Sequence, residues 1–529
     1  MLGKLKQARS QYLYGPIRRS LATRGIDVVR VDDAAQLAEP PMEGFIQPDE
    51  VMPAYEKLLA TPRDTKFEPE LLVDFLNSAG LAGLFIPAQG ATNFKVCFLE
   101  DDRSQALTAV ARFCAVEGAQ LQYKLQKQSV DTRNVAQYLS DLSDVSSSVI
   151  TLSSLRSTEE MRFTIEFWTD DGDYYSAGGS NLLSRRLWKD TAAKHGFFEP
   201  GLMRDFTAML DHPHETTHNF PIDLVFTWVN SEDPEWQDLY KQHSPNVGSD
   251  GSSISRFKSR DELKYALRSW DKYAPFVRKV FIVSNCAPPT WLDMDNERLV
   301  WVPHEEILSE AELPTFSSHT IESSLHKVPG ISDHFIYSND DFFLTRQAYP
   351  DNFYFPNGIA KIRLEPYGMV NGEVNKGHPD YLNGARNANE VIGKEFGVSP
   401  TQLVTHSPIA FRKDVMNEIE AKYDDYLART RRNKFRNIVD VAPGYLYVHY
   451  AIAGGNAVVD HTPVQLVQQN HWFKKILSEL VEKKRAGSGK LPLSVCLNDG
   501  ADSHLNANWN TAVTTFLDDF FPDKSEFEK

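Results

Sequence analysis

Between residues 221 and 345 the apolar and polar positions change period several times. Residues 222–229 (IDLVFTWV) are an almost unbroken apolar, β-branched run, the pattern of a buried strand. Asp233-Pro234 then marks a helix start, with Asp as cap and Pro at the first position. Residues 244–256 (SPNVGSDGSSISR) are rich in Gly and Ser and read as a loop. In 259–275, Leu263, Ala266, Leu267 and Trp270 share one helical face, and Ser259 with Glu262 predicts a capping box. Residues 279–284 (KVFIVS) and 299–303 (LVWVP) read as strands, and 320–328 as a short helix. The stretch 335–344 (FIYSNDDFFL) is an apolar run broken at Asn339-Asp340-Asp341. This alternation predicts an α/β fold whose catalytic core is a Rossmann-like, mostly parallel sheet, with helical additions.

Upstream, 95–100 and 162–169 have strand character and 105–118 has helix character, so a smaller N-terminal α/β domain is expected. The expected organisation is a basic segment and Pro-rich connector over 1–54 and an accessory α/β domain over 55–204. A linker over 205–220, the catalytic domain over 221–505 and a tail over 506–529 follow. The linker carries His212, His214 and His218. Pro213 breaks regular metal-ligand spacing there, so a solvated connector is the reading.

The chain has 529 residues and a formal net charge of −16, which argues against nucleic-acid binding through general positive charge. Cys97, Cys114, Cys286 and Cys496 are far apart and form no CxxC, as in reduced cytoplasmic proteins. No apolar run is long enough for a transmembrane helix, and no signal-peptide core is visible. A cytoplasmic location is therefore expected. The first 25 residues interleave six Lys and Arg with apolar residues before any acid. They read either as a peripheral contact with an anionic membrane surface or as a solvated basic face.

Five segments can carry chemistry. Asn230, with Asp233, can hold a base or ribose, or simply cap a turn. Arg256, Lys258, Arg260, Glu262 and Lys264 surround a helix start, where a diphosphate can be bound, or they form a solvated face. Ser317, Ser318, His319 and Glu322 can hydrogen-bond a sugar, and Asp340 with Asp341 can hold a divalent metal, or the segment is a helix cap followed by a turn. His406 can act as a general base beside a cluster of Arg429, Arg431, Arg432, Lys434 and Arg436, or be structural. Residues 495–499 end in Asn498-Asp499, a second carboxylate for the same metal or a plain turn.

In order and spacing these segments resemble the Stealth family of hexose-1-phosphate transferases. The matching blocks are IDLVFTWVNSEDPEW; then DELKYALRSWDKYAPFVRKVFIVSN, LPTFSSHTIESSLHKVPG and HFIYSNDDFFL; then HSPIAFRKDVMNEI, KFRNIVD and YLYVHY; and finally VCLNDG. Within the family the chain looks most like bacterial capsule and exopolysaccharide phosphotransferases. The resemblance implies a catalytic set of Asp341, His406, Arg436 and Asp499. It also implies a nucleotide diphosphate sugar donor, a UDP-hexose or UDP-N-acetylhexosamine, and a saccharide acceptor. Asp340, Asp341 and Asp499 would hold Mg²⁺ (or Mn²⁺). Asn230, Arg256, Glu262, Lys264, Ser317, Ser318, Glu322, Asn339 and Arg432 would bind substrate. Many members read Trp-Val-Asp in the first block where this chain has Asn230, which weakens a metal role there. Two other readings stay open: a metal-dependent glycosyltransferase that releases a nucleoside diphosphate, and a non-catalytic component that binds sugar nucleotides.

Overall fold

In the computed structural model the chain divides after Thr217 into two units. The structure describes residues 69–87, 94–116, 121–125, 128–131, 149–156, 159–244, 259–485, 490–499 and 503–529. The basic N-terminal segment, most of the Gly/Ser-rich loop, and Arg256 lie outside the described residues.

The N-terminal unit is built on a mixed sheet. The strands Phe94–Leu99 and Glu159–Asp170 pair in parallel, and Gly83–Ile86 pairs antiparallel with the first of them. Helices Pro69–Ser78 and Arg103–Val116 belong to the same unit, and Leu72, Phe75 and Phe113 share its core with Val96 and Phe98. Gly83–Ile86 also pairs with Met203–Asp205, and Phe206 in the turn that follows is fully buried. Residues 205–209, expected as linker, therefore belong to this unit, where Phe206 joins a second buried cluster with Ile86, Trp168 and Phe197. Within 205–220 the histidines diverge. His214 Nδ1 meets the Thr216 hydroxyl at 2.7 Å, and His218 Nε2 meets the Tyr354 carbonyl at 3.0 Å.

The C-terminal unit contains a five-stranded sheet. Its spatial order is Leu299–Val302, Val277–Val283, Ile222–Thr227, His334–Asn339, Ile409–Arg412. The first four strands are parallel and the last is antiparallel. The chain starts in the middle, builds outward on one side, then returns to the other side of the first strand. That reversal falls between Ile222–Thr227 and His334–Asn339, where Thr227 lies level with Asn339. An open α/β sheet binds ligands in the crevice at such a switch point, beyond the strand C-termini.

The expected strands appear, with two local differences among the helices: the helix expected over 320–328 is Ser318–Glu322 followed by a 3-10 turn Leu325–Lys327, and the start of the helix after residue 259 differs. Asp233 caps helix Pro234–His243 by accepting from the Glu235 and Trp236 amides. Helix Glu262–Tyr273 has no side-chain cap. Asp261 sits at its start with a left-handed backbone (φ 63°), and Ser259 donates instead to the Glu262 carboxylate. Leu263, Ala266, Leu267 and Trp270 are buried on one face, as the spacing predicts.

The segment expected as a tail is a core element. Helix Ala507–Phe520 buries Trp509, Val513, Phe516, Leu517 and Phe520 in the main core. Its apolar residues recur at helical spacing, so burial against the domain holds it in place.

Candidate functional site

A cleft of about 270 Å³ opens at the switch point. Thr227, Trp228 and Val229 reach it from the end of the first strand, and Asn339, Asp340 and Asp341 from the end of the fourth. Glu262, Ser318, Glu322, Arg436 and Asp499 also line it. The fold thus brings together residues separated by more than 230 positions.

Pairing register explains how Asp499 arrives. The strand Phe342–Leu344 runs antiparallel to Ser494–Asn498, with Phe342 opposite Cys496, and the Leu497 amide donates to the Asp341 carbonyl at 3.1 Å. Residue 499 then falls at the level of Asn339. Arg260 donates to both Asp499 oxygens, at 2.9 and 3.1 Å, and also to Glu262 at 2.8 Å. The Trp509 indole N–H donates to Asp499 at 2.8 Å, so the C-terminal helix helps hold the site.

Five carboxylates (Glu262, Glu322, Asp340, Asp341, Asp499) therefore line the cleft, and Arg260 is the cation bonded to Glu262 and Asp499. Burial pushes Asp341 up to about 7, and Glu262 and Asp499 add to the rise against the Cys496 thiol, which donates at 3.5 Å. Burial also raises Asp340 well above the ordinary aspartate range, with Asp341, Glu262 and Asp499 adding repulsion. Asp341 Oδ1 is shut off from solvent without a hydrogen-bond partner. An orphaned acceptor among unneutralised carboxylates suits a divalent cation, because carboxylate oxygens are its preferred ligands and its charge removes the repulsion. Among the described residues, no three His, Cys, Asp or Glu side chains form a ready-made metal-binding group. Asp340 and Asp341 fit the ion, whereas the Asp499 oxygens are taken by Arg260 and Trp509.

The cleft lining also includes a cation, Arg436. Phe435 stacks on Phe316 with ring centroids 5.1 Å apart, and the Phe316 amide donates to the Lys434 carbonyl at 2.8 Å. This zips residues 313–318 to 434–436. Arg436 Nη2 then donates to the Ser318 hydroxyl at 2.7 Å. Lys434 is used structurally, its ammonium bonding the Leu313 carbonyl. Arg431 is buried among Glu312, Glu420 and Asp424, and Arg432 is exposed at the helix C-terminus. Of the basic cluster, Arg436 lines the cleft.

His406 is exposed and is not among the residues lining the cleft. It lies three residues before the strand Ile409–Arg412, in a bend where the Ser407 amide donates to the Thr405 carbonyl at 2.8 Å and the Thr405 amide to the Arg363 carbonyl at 3.1 Å. The surrounding chain holds the His406 pKa below the ordinary histidine value, and Glu365 opposes that shift.

Other predicted residues take structural places. Asn230 turns its side-chain oxygen to the Glu232 amide at 2.9 Å and closes a turn outside the cleft. Lys264 approaches Glu528 at 3.9 Å and does not line the cleft. Ser317 is fully buried at the start of the short helix Ser318–Glu322, with its hydroxyl unpartnered. His319, beside Ser318, is buried with Nδ1 3.9 Å from Asp440, too long for a hydrogen bond. Burial, then the nearby Arg436, lowers its pKa. Sequence reasoning passed over Asn285 and His304, which line the cleft after the second and third strands. It had no reason to single out Arg260 from its basic neighbours.

Comparison with known proteins identifies the family. Conserved regions 1, 2 and 3 of the Stealth proteins match residues 220–248, 256–362 and 405–453. The capsular polysaccharide phosphotransferase SacB of Neisseria meningitidis serogroup A is 48% identical over 470 residues, covering 88% of this chain and 86% of that protein. An exopolysaccharide phosphotransferase of Streptomyces coelicolor is 29% identical over 523 residues, covering 89% and 85%. Among solved structures, the galactosyltransferase LgtC in complex with donor and acceptor sugar analogs shares 8% identity. That alignment covers 56% of this chain and 95% of that one at a TM-score of 0.28, too low to support an argument. The chain belongs to the Stealth family of phosphotransferases.

Proposed function

We propose that this phosphotransferase moves a hexose-1-phosphate or N-acetylhexosamine-1-phosphate group from a nucleotide diphosphate sugar to a saccharide hydroxyl, building capsule or exopolysaccharide. The observation that carries the reading is that Arg436 and the Asp340–Asp341 pair line one cleft. A sugar-linked phosphoryl group has charge to be met on its equatorial oxygens, and little covalent chemistry is asked of the protein. The names of its relatives, capsular and exopolysaccharide phosphotransferases, support the same chemistry.

In this reading the acceptor hydroxyl oxygen bonds to the donor phosphorus nearest the sugar. The bond from that phosphorus to the bridging oxygen breaks, and nucleoside monophosphate leaves. His406 takes the hydroxyl proton. Arg436, aimed by its hydrogen bond to Ser318, stabilises the charge on the transferring group. Asp340 and Asp341 would hold Mg²⁺ or Mn²⁺, which supplies charge neutralisation at the diphosphate when bound. Glu262 and Asp499 stay tied to Arg260 and shape the acidic wall. Glu322, which lines the cleft with Ser318, would hydrogen-bond a sugar hydroxyl.

The test is the identity of the released nucleotide. Full-length protein is incubated with Mg²⁺, a panel of UDP-, GDP- and CDP-sugars, and short saccharide acceptors, and products are separated by chromatography. Acceptor-dependent monophosphate supports the proposal. Diphosphate release would make the enzyme a glycosyltransferase and remove the roles given to His406 and Arg436.

A further inference from the structure

The sheet order spreads the cleft residues along a line. His304 follows the outer strand Leu299–Val302, Asn285 follows Val277–Val283, Trp228 follows Ile222–Thr227, and Asp340 follows His334–Asn339. Three interstrand steps of about 4.8 Å set the His304 strand roughly 14 Å from the Asp340 strand. One end of the cleft is acidic. At the other, the Trp228 ring packs against Trp301 of the outer strand, and Trp236 and Phe316 also line the cleft.

The aromatic end contains unsatisfied polar atoms. His304 is 2% exposed, and neither ring nitrogen has a hydrogen-bond partner. Its backbone is fixed, because its carbonyl accepts from the Ile307 and Leu308 amides at 3.1 and 2.9 Å. Burial pushes its pKa down to about 4, so at neutral pH the ring is uncharged, with one N–H donor and one acceptor. The Trp228 indole nitrogen, 5.6 Å ring to ring from Trp301, is also buried and unpartnered. Buried polar groups are rarely left so, and each costs about 1–3 kcal/mol until something satisfies it.

Flat apolar walls with an uncharged donor and acceptor between them are complementary to a heterocyclic base. We propose that this end of the cleft binds the nucleobase of the donor, with His304 and the Trp228 indole N–H hydrogen-bonding its edge. The inference rests on the nucleotide-sugar reading above and adds the residues that select the base.

Titration calorimetry of the full chain in Mg²⁺ with UDP, CDP, GDP, ADP and inorganic pyrophosphate tests it. Wild type is expected to prefer one base. His304→Phe, which keeps a flat ring without its nitrogens, should weaken the preferred nucleotide about 10–100-fold, leave pyrophosphate unchanged and flatten the preference. His304→Gln should recover part of the affinity. If His304→Phe does not fold, Trp228→Phe carries the same expectation. Equal wild-type affinity for all four nucleotides overturns the inference, as does unchanged discrimination in the Phe variant or equal loss of nucleotide and pyrophosphate. Wild type that binds none of the nucleoside diphosphates would instead sink the donor reading itself.

Discussion

Arg260 grips Asp499 with both terminal guanidinium nitrogens, at 2.9 and 3.1 Å, across 239 residues of sequence. The same guanidinium holds Glu262, so one cation sets the charge of the acidic wall. Its side chain is only 12% exposed. Removing one member of a buried ion pair strands the others, at a cost of about 3–5 kcal/mol. Arg260→Met should therefore destabilise the protein by that order, more at pH 8 than at pH 5, because protonation relieves the abandoned carboxylates. Urea unfolding at the two pH values measures both effects. An equal and small loss at both would mean that Arg260 is not the compensating charge.

Asp341 predicts a pH slope in metal-free protein. Its folded pKa of about 7 lies above the unfolded aspartate value near 3.9, so the folded state binds the extra proton between these limits. The stabilisation is complete below about pH 4 and is lost as pH rises through 7. Asp341→Asn should flatten the slope in EDTA and raise stability at pH 8, while abolishing turnover. Mg²⁺ should stabilise wild type at pH 8 and leave the variant nearly unmoved. Thermal unfolding with and without chelator reads all three, and a flat wild-type profile would contradict the charge picture.

Arg436 and Ser318 predict graded losses. Arg436→Ala removes the group that meets the transferring charge, and kcat should fall on the order of 10²–10³-fold with donor binding less affected. Ser318→Ala leaves the guanidinium present but unaimed, and about a tenfold loss is expected. Steady-state kinetics separates the two, and equal losses in kcat and donor affinity would make Arg436 a binding residue only.

His406→Ala should lower kcat on the order of 10²–10⁴-fold if the imidazole takes the acceptor proton. A base must be unprotonated, so wild-type activity should fall as pH drops through the His406 pKa. Packing sets that limb below the ordinary histidine value of about 6.5. The variant should lose the acidic limb altogether. A folded variant within tenfold of wild type, with its pH profile intact, would remove His406 from the reaction.

The strands that frame the site were legible because each is an apolar run ended by polar residues, from 222–229 to 335–339. Asp340 and Asp341 were legible for the same reason, charge interrupting an apolar run, whereas Arg436 stood out from its basic cluster only through the family resemblance. Lys264 was not, because its partner Glu528 lies 264 residues later and charge alone does not reveal pairing. His304 and Asn285 escaped notice because a single polar residue after a strand gains meaning only once strand order puts it on one crevice. The C-terminal helix was readable in the spacing of Trp509, Val513, Phe516 and Phe520. Position after the last conserved block made it look like a tail.

The transfer of phosphorus together with sugar is the claim on which the site assignments depend. A nucleotide sugar carrying radioactive phosphorus only at the sugar-linked position distinguishes the outcomes directly. Given acceptor and Mg²⁺, the label should move into the saccharide product as a phosphodiester, leaving unlabelled monophosphate. Label retained in a released nucleoside diphosphate, with an unlabelled saccharide product, would contradict phosphoryl transfer at this cleft.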